Sequence, residues 1–310
     1  MEYKLEDIET LLAAVETGSI SAAGLRLNLA KSVVSERIAR LERALGATLL
    51  RRASRGVTPT EQGHAFYQQA RGILQQLDSA AENLTRSDQE LSGLLRITAP
   101  VYFGTRWLGP ALYPFMQDHP RLSLGLELDD RRVDILAGGY DLAIRVGHLQ
   151  DSSLQARRLA TCRFVICCSP DYARRHGEPQ KLEDLAQHVA VGYSLSPAGQ
   201  SWQFEPARRQ ATAPTVAMRC RLMVNNGEGM RDAAIAGLGL VHLPTFIAAD
   251  ALRDGRLIGV LRNQRLQSSA IWAVYPHARQ PVRKLKLLIE RLAAAFAAGE
   301  LWDRGLGINS

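Results

Sequence analysis

The fold of this chain is decided by residues 19–60, which read SISAAGLRLNLAKSVVSERIARLERALGATLLRRASRGVTPT. The pattern predicts two short helices, the first over residues 21–27 and the second over residues 31–45. A serine at the start of the first helix supplies its cap, and Gly46 ends the second. Asn28 lies in the tight break between them and tolerates the left-handed conformation that such a corner requires.

The second helix has one apolar face and one polar leading end. Its apolar residues are spaced four, three and four apart, which predicts a single buried face; they are Val34, Ile38, Leu41 and Leu45. The polar residues of the leading end are Lys31, Ser32, Ser35 and Glu36. A helix that packs by one face and exposes a polar end is typical of a recognition helix in the major groove of DNA.

Basic residues are concentrated around this helix. Residues 26–55 contain eight Arg and Lys against two Glu, a balance of plus six, whereas the whole chain carries a formal charge of +7. Such a local excess suits the neutralisation of phosphates. The alternative is a solvated helical face, the commonest reason for a run of charge. The sequence Arg51-Arg52-Ala53-Ser54-Arg55-Gly56 favours DNA, because it predicts a basic hairpin tip that contacts the backbone or the minor groove.

Composition is that of a globular protein. The chain has 310 residues, of which 46% are hydrophobic and 22% are charged, so it is long enough for two or three domains. No long uncharged apolar run occurs, and the acidic start MEYKLED has no signal-peptide core. We therefore expect a cytoplasmic, nucleoid-associated protein with no membrane partner.

Cysteine and histidine residues give no sign of catalysis or metal binding. The seven His are scattered without a nucleophile motif or ligand spacing, so we expect no enzyme, no metal and no cofactor. Cys167 and Cys168 lie in an apolar run, where cysteine behaves as a small hydrophobe. A thiol-based redox sensor stays open as an alternative, with Cys162, Cys168 or Cys220 as the switch.

Two further helices flank the central stretch. Apolar residues at three- and four-residue steps predict a first helix from Leu5 to near Gly18. Thr58-Pro59-Thr60-Glu61 resembles a capping box with proline at the first helical position, and it predicts a long helix. The apolar residues of that helix keep a seven-residue repeat; they are Phe66, Ala70, Ile73, Leu77, Ala80 and Leu84. The repeat favours a coiled-coil dimer seam, and the alternative is packing on the chain's own second domain.

Beyond a polar hinge at residues 87–93, strands and helices alternate. The predicted strands cover residues 94–98, 122–128, 141–146, 164–169, 189–192, 215–224, 238–243 and 271–275, and the helices 104–118, 132–137, 170–175, 182–186, 227–236 and 282–298. The order predicts an α/β sheet architecture within an α+β multidomain chain. We divide the chain into residues 1–60 for DNA binding, 61–92 for the linker helix and hinge, and 93–310 for a regulatory domain. Its two lobes comprise about residues 93–164 plus 269–300, and about 165–268.

Several motifs resemble those of the LysR-type transcriptional regulators. The DNA-binding signature is matched by Gly18-Ser19-Ile20-Ser21-Ala22-Ala23, Ser32-Val33-Val34-Ser35, Ile38-x-x-Leu41-Glu42, Leu45-Gly46, Leu49-Leu50-x-Arg52 and Thr58-x-Thr60-Glu61-x-Gly63. The segment from Val133 to Gly147 resembles the effector-domain signature. The resemblance implies a winged helix-turn-helix, a dimerising linker helix, and a two-lobed effector domain similar to periplasmic binding proteins. It also implies a homotetramer built as a dimer of dimers on operator DNA, with RNA polymerase as a further candidate partner.

Two positions depart from the family pattern. Ala30 stands where the family usually has a capping serine, so we expect the cap to come from Ser32. Glu36 replaces a residue that is often basic, and it either accepts a hydrogen bond from cytosine or faces solvent. Our candidates for contact with bases are Lys31, Ser32 and Ser35, with Ser21 and Glu36 beside them. Our candidates for contact with phosphate are Arg37, Arg40, Arg51, Arg52 and Arg55.

The effector is expected between the two lobes, at strand ends and helix N-termini, where free amides favour an anion. The candidate residues are Ala99, Pro100, Val101, Arg145, Val146, Gly147, Asn225, Asn226 and Leu243. Relatives that bind carboxylates often present hydroxyls after the first strand, whereas this chain has Ala99, Pro100 and Val101. A less polar ligand, or no ligand at that subsite, is therefore an open alternative. A solute-binding protein is a further reading, opposed by the helix-turn-helix pattern.

Overall fold

The computed structural model describes residues 3–53, 56–84, 91–136, 138–149, 154–196, 200–206, 213–277, 283–297 and 302–306. The chain divides into two compact units, Met1–Gln89 with Leu136–Gly139, and Glu90–Ile135 with Tyr140–Ser310. Crossing a bilayer takes a long, apolar helix, and none of the described helices qualifies.

The first unit begins with three helices and a hairpin. They are α1 (Leu5–Thr17), α2 (Ile20–Leu27), α3 (Lys31–Leu45), β1 (Leu50–Ala53) and β2 (Gly56–Pro59). The helices share one core in which Leu11, Ala23, Val34 and Leu41 have no exposed surface. Ile38 is also buried and Leu45 packs at the margin, so the predicted face of α3 is confirmed. The antiparallel pairing of β1 with β2 forms the wing.

Each helix ends at the residue that the sequence indicates. Gly18, Asn28 and Gly46 all adopt left-handed backbone conformations, with φ angles of 63°, 54° and 64°. The side chain of Ser19 caps α2 by accepting a hydrogen bond from the backbone N–H of Ala22 at 3.4 Å. These local signals set the short corner of the helix-turn-helix.

The start of α3 differs from the prediction. Ala30 is the capping residue, and no side-chain hydrogen bond caps the helix there. Ser32 lies on the first turn and is exposed, so the expectation that it supplies the cap is wrong. Its position inside the helix is the reason, because a capping side chain must come from the residue that precedes the helix.

The long helix α4 covers Glu61–Leu84. Thr60 caps it: its Oγ1 accepts from the N–H of Gly63 at 2.9 Å and donates to the carbonyl of Thr48 at 2.7 Å. Pro59 pairs with Leu50 in the wing, so its predicted place at the first helical position is wrong.

The seven-residue repeat of α4 is only partly covered by the first unit. Phe66 and Ala70 pack near the helix-turn-helix, whereas Ile73 and Leu77 are 64% and 52% exposed. The side chains of Ala80 and Leu84 lie outside the described residues. A large apolar side chain that stays exposed on a regular seam is the feature a partner helix would cover.

The second unit contains a five-stranded sheet in the order β4-β3-β5-β14-β6. Its strands are β3 (Gly93–Ala99), β4 (Leu122–Leu128), β5 (Leu142–Val146), β6 (Leu154–Cys162) and β14 (Ser269–Pro276). β3 is parallel to β4 and β5, while β14 runs antiparallel to β5 and β6. A continuous helical segment follows β3, consisting of α5 (Val101–Phe103), a π-helical turn (Gly104–Leu108) and α6 (Gly109–Asp118).

The remaining strands form the second lobe. They are β7 (Phe164–Cys168), β8 (Val189–Tyr193), β9 (Ser201–Gln203), β10 (Thr215–Ala217), β11 (Arg219–Val224), β12 (Val241–Pro244) and β13 (Ile258–Val260). β7 lies between β12 and β13, β8 is parallel to β11, and β9 pairs with β10. The helices of this lobe are α7 (Pro170–His176), a 3-10 helix (Leu182–Gln187), α8 (Gly227–Ile235) and α9 (Thr245–Arg253). The last helix, α10 (Arg283–Ala297), packs on β6 and α6 of the first lobe.

An aromatic cluster joins the two lobes on one side. Phe103 of the first lobe packs edge-on against Phe246 of α9, with ring centroids 5.4 Å apart. Trp302 is buried against both rings. The first residues of α5 and α8 face the same region between the lobes, which is where the candidate effector site lies.

Two predicted elements of the second unit are wrong. In the predicted helix, residues 132–134 have no regular structure and residues 135 and 136 form a turn, closed by a hydrogen bond from the N–H of Tyr140 to the carbonyl of Ile135 at 2.9 Å. The predicted strand 215–224 is two strands, β10 and β11, which pair with different partners. The strand β6 and the helix α9 were not predicted. β6 is an edge strand that exposes Arg157 and Arg158, and this removes the apolar alternation that marks a half-buried strand.

Candidate nucleic-acid interface and effector cleft

The leading end of α3 borders a groove of about 370 Å³ together with α2 and the wing. Lys31, Ser35 and Ser21 line it, with Gly56 at its wing side. Lys31 and Ser21 are exposed and Ser35 is half-buried. The fold therefore brings three of the predicted base-contacting residues to one concave surface. Ser32 and Glu36 are exposed on the same helix.

Arg37 and Arg40, which we predicted to contact phosphate, pair with carboxylates of α1. Arg40 donates Nε to Oδ2 of Asp7 at 2.9 Å and makes a second bond to Oδ1. Arg37 pairs with Glu6 at 2.8 Å. Both guanidinium groups thus join α3 to α1 within the helix-turn-helix, and their contact with phosphate remains a prediction. The count of charges along the chain could not show this, because the carboxylates lie about thirty residues earlier.

The Asp7–Arg40 contact makes a pH-dependent contribution to stability. Asp7 is fully buried, and the hydrogen bond from Arg40 lowers its pKa below the ordinary value despite the opposing effect of burial. A carboxyl group with a lowered pKa stabilises the fold fully above its unfolded pKa, and this contribution is lost as pH falls through the folded value. We expect an Asp7→Asn variant to be less stable at pH 7 and to lose less stability than the wild type as the pH falls from 7 to below about 4.

Urea unfolding of both proteins across this pH range checks the expectation. Parallel acid profiles for the two proteins would contradict the role given to Asp7.

The wing is fixed to α3 by Glu42, a residue that we did not select. Its Oε1 accepts from the N–H groups of Leu49 and Leu50 at 2.7 and 3.1 Å. Glu42 is part of the Ile38-x-x-Leu41-Glu42 motif of the family signature, and that motif could have identified it from the sequence. Arg51 is exposed on β1. The side chain of Arg52 and the whole of Arg55 lie outside the described residues.

Two of the predicted effector residues, Val101 and Asn226, are linked in the cleft between the lobes by Asp130, a residue that we did not predict. Its Oδ1 accepts from the N–H of Val101 at 3.0 Å, and its Oδ2 accepts from Nδ2 of Asn226 at 2.5 Å. Asn226 also caps α8, because its Oδ1 accepts from the N–H groups of Glu228 and Gly229 at 2.9 and 3.0 Å. Asp130 lies in the loop after β4, and no motif or spacing in the sequence marks it.

The other predicted effector residues are less accessible or are engaged elsewhere. Ala99 and Leu243 are 2% and 1% exposed and belong to the core, so their side chains do not line an open cleft. Their place in the effector site remains a prediction. Pro100 is half-buried and precedes α5, Val146 is half-buried, and Asn225 is exposed.

Arg145 and Gly147 are held at the end of β5. Arg145 donates to the carbonyl of Val133, and burial, together with the charge of Arg132, lowers its pKa. The carbonyl of Gly147 accepts from Nε1 of Trp272 at 3.0 Å. These contacts lie within the first lobe, and among the described residues no hydrogen bond links Arg145 or Gly147 to Val101 or Asn226.

Aromatic hydroxyls border the cleft. Burial, with the charges of Asp130 and Asp129, raises the pKa of Tyr193 to about 12. Tyr102 lies under the guanidinium of Arg231, 5.5 Å from its ring centre, and burial raises its pKa. The cleft therefore presents neutral hydroxyls beside a carboxylate and a guanidinium.

A larger cavity of about 670 Å³ lies elsewhere in the second unit, and none of the predicted effector residues borders it. Its basic lining residues are Arg163, Arg253, Arg262 and Arg265. Arg163 is paired with Asp303 at 2.7 Å, and Arg253 donates to the carbonyl of Trp302 at 2.6 Å. Both are thus occupied by the fold.

Histidine and cysteine residues occupy structural settings. His242 stacks on Phe164 with ring centres 4.7 Å apart, and burial lowers its pKa to about 4. Burial raises the pKa of the Cys168 thiol to about 12 and raises those of Cys162, Cys167 and Cys220 as well. Within the ranges that the structure describes, no three His, Cys, Asp or Glu side chains come together as a metal site would require.

Comparison with known proteins matches both units. The family of bacterial regulatory helix-turn-helix proteins of the lysR type matches residues 5–64, and the LysR substrate binding domain matches residues 88–297. An uncharacterized HTH-type transcriptional regulator of Haemophilus influenzae is 34% identical over 276 residues, 89% of this chain and 95% of that protein.

Two solved structures extend the comparison. CrgA, a LysR-type transcriptional regulator from Neisseria meningitidis, is similar over 94% of this chain and 98% of its own, with a TM-score of 0.59 and 27% identity. The regulatory domain of AphB from Vibrio vulnificus, solved after treatment with cumene hydroperoxide, covers 66% of this chain and 98% of its own, with a TM-score of 0.52 and 25% identity. The chain therefore belongs to the LysR family, and it is a DNA-binding transcriptional regulator with an effector-binding domain.

Proposed function

We propose that a small-molecule effector, bound between the two lobes of the second unit, controls how a dimer of this protein holds its operator. The observation that carries the proposal is that Asp130 accepts hydrogen bonds from both Val101 and Asn226. This contact joins the two lobes at the N-terminal ends of α5 and α8. A ligand bound beside Asp130 would strengthen or weaken this contact. It therefore favours one arrangement of the lobes over another, as a population shift requires.

Lys31, Ser32, Ser35 and Ser21 are proposed to read bases from the groove beside α3. Lysine reaches guanine acceptors in the major groove, and serine serves either a donor or an acceptor. Glu36 is exposed, and two roles are proposed for it. Its carboxylate either accepts a hydrogen bond from cytosine or faces solvent. Arg51, Arg52 and Arg55 are proposed to contact phosphate from the wing, which fixes position without reading sequence.

The assembly is proposed to be a dimer through α4 and, by resemblance, a dimer of dimers. Exposure of Ile73 and Leu77 supports the dimer, because burying both would remove a large apolar area from water. Contact with RNA polymerase is a further proposal that follows from the same resemblance.

Substitutions at Lys31 and Arg51 are expected to affect operator binding in different ways. Lys31→Ala should relax the preference at one base pair by about 1–3 kcal/mol. Arg51→Ala should weaken binding to all sequences alike and lower the slope of log K against log salt by about 0.9 for each lost phosphate contact.

Titration of both variants against the selected operator and its single-base variants, at several salt concentrations, separates the two effects. A change of base preference in Arg51→Ala would contradict its assignment to phosphate.

Effector control is tested by a thermal-shift screen of the full-length protein against small carboxylates, amines, sugars and aromatics. A ligand that binds only the folded state raises the melting temperature by mass action. A true effector should also change operator affinity or DNA bending at the same concentration. A hit that leaves both unchanged would contradict effector control.

A thiol switch is the second candidate, because AphB, a relative in structure, has been studied with a peroxide. The reactive form of cysteine is the thiolate, which a raised pKa disfavours. Cys220 is the least enclosed of the four thiols, since it is half-buried and the others are buried. We expect operator binding to be unchanged by peroxide in the wild type and in Cys220→Ser. A peroxide effect that disappears in Cys220→Ser would establish the switch instead.

A further inference from the structure

The cleft between the lobes already contains a carboxylate, that of Asp130. The N–H of Val101 opens the helical segment of the first lobe, and Asn226 stands at the first turn of α8 in the second lobe. Backbone and amide donors at such positions are those that a ligand carboxylate or phosphate would use. Each carboxylate oxygen of Asp130 accepts one hydrogen bond from these donors, Oδ1 from the N–H of Val101 at 3.0 Å and Oδ2 from Nδ2 of Asn226 at 2.5 Å. An anionic ligand would have to displace Asp130.

Asp130 has no ion-pair partner among the described residues. Both hydrogen bonds that its carboxylate accepts come from uncharged donors, the N–H of Val101 and the side-chain amide of Asn226. The adjacent Asp129 is paired with Arg131, whose side chain is 73% exposed. Burial is the main cause of the raised pKa of Tyr193 on β8, and the negative charges of Asp130 and Asp129 add to it.

A carboxylate accepts about four hydrogen bonds, and Asp130 has accepted two. The remaining lone pairs suit a donor, and a charged donor forms the stronger bond because both partners are ionised. Asp130 is half-buried, so a cation placed beside it would also offset the cost of keeping its charge partly out of water.

We propose that Asp130 sets the specificity of the cleft by excluding carboxylates and by receiving a protonated amine of the effector. The inference rests on the proposed function, in which this cleft takes the effector. It replaces the expectation, drawn from free helix N-termini, that the ligand is an anion.

Melting temperatures of the full-length protein test the inference with two matched series of probes. One series contains butylamine, putrescine and benzylamine, and the other contains pentanoate, adipate and phenylacetate. The variant is Asp130→Asn, which keeps an acceptor for the N–H of Val101 and removes the charge. The control is Asp118→Asn, which makes the same change of charge at an exposed site on the far end of α6.

At least one amine is expected to raise the melting temperature of the wild type, with affinity reduced by about tenfold or more in Asp130→Asn and unchanged in Asp118→Asn. The carboxylates should shift Asp130→Asn more than they shift the wild type. A carboxylate that binds the wild type as well as it binds Asp130→Asn would overturn the inference and leave effector control standing. If no amine binds, the inference is overturned. Effector control is contradicted as well only if the broader thermal-shift screen finds no ligand that changes operator affinity or DNA bending.

Asp130→Glu provides a second variant if the asparagine variant does not fold. It retains the charge on a side chain that is one methylene longer, so preference for the amine series over the carboxylates should persist. A reversal of that preference in a folded Asp130→Glu protein would contradict the proposal.

Discussion

A Leu77→Asp variant is expected to dissociate into monomers and to lose roughly 100-fold in operator affinity, because two linked half-site contacts become one. Leu77 is 52% exposed on α4, one heptad beyond Ala70, which is buried near the helix-turn-helix. In a two-fold seam, the two new carboxylates would lie near each other in an apolar interface. Burial of an unpaired charge is costly, and like charges add to the cost.

Ala65→Asp is the matched control, because Ala65 is exposed on the same helix and lies on a different face from the seam. Sedimentation and operator titration of both variants decide the matter. We expect the control to remain a dimer and to bind the operator like the wild type. If Leu77→Asp remains a dimer like the control, the proposed dimer seam on α4 is wrong. The alternative, in which this face of α4 packs on the chain's own second unit, is then favoured.

The helix-turn-helix could be predicted from sequence because its signals are local. A left-handed residue ends each of α1, α2 and α3, and the apolar spacing of α3 identifies its buried face without reference to other elements. Lys31, Ser35 and Ser21 are brought together by the short corner alone. Residues within about forty positions of one another, joined by tight turns, leave the chain few alternatives.

Prediction from the sequence missed the contacts that join distant parts of the chain. Arg37 and Arg40 carry charge that suits DNA, but Glu6 and Asp7 of α1 engage both. Asp130 stands in a loop, and its partners lie 29 and 96 residues away. No spacing along the sequence marks such a residue. The strand β6 was missed for a related reason, since its place at the sheet edge is decided by β14.

The turn from the wing into α4 is the point where the first unit tolerates least change, and Gly63 is its tightest position. A Cβ atom at Gly63 would lie 1.8 Å from the carbonyl oxygen of Leu49. That carbonyl is backbone and also accepts from the N–H of Thr60 at 2.9 Å, so it cannot move without opening the cap of α4. We therefore expect Gly63→Ala to lower the free energy of unfolding by about 3 kcal/mol.

Gly72→Ala on the same helix provides the opposite expectation, because a Cβ atom there meets nothing within 4 Å. With no clash to offset it, the better helix propensity of alanine should raise stability by about 0.5–1 kcal/mol. Urea unfolding of the two variants, monitored by circular dichroism, isolates the packing effect from the propensity effect. If Gly63→Ala were as stable as Gly72→Ala, the carbonyl of Leu49 could not be fixed where the structure places it. The cap at Thr60 would then not hold the wing against α4.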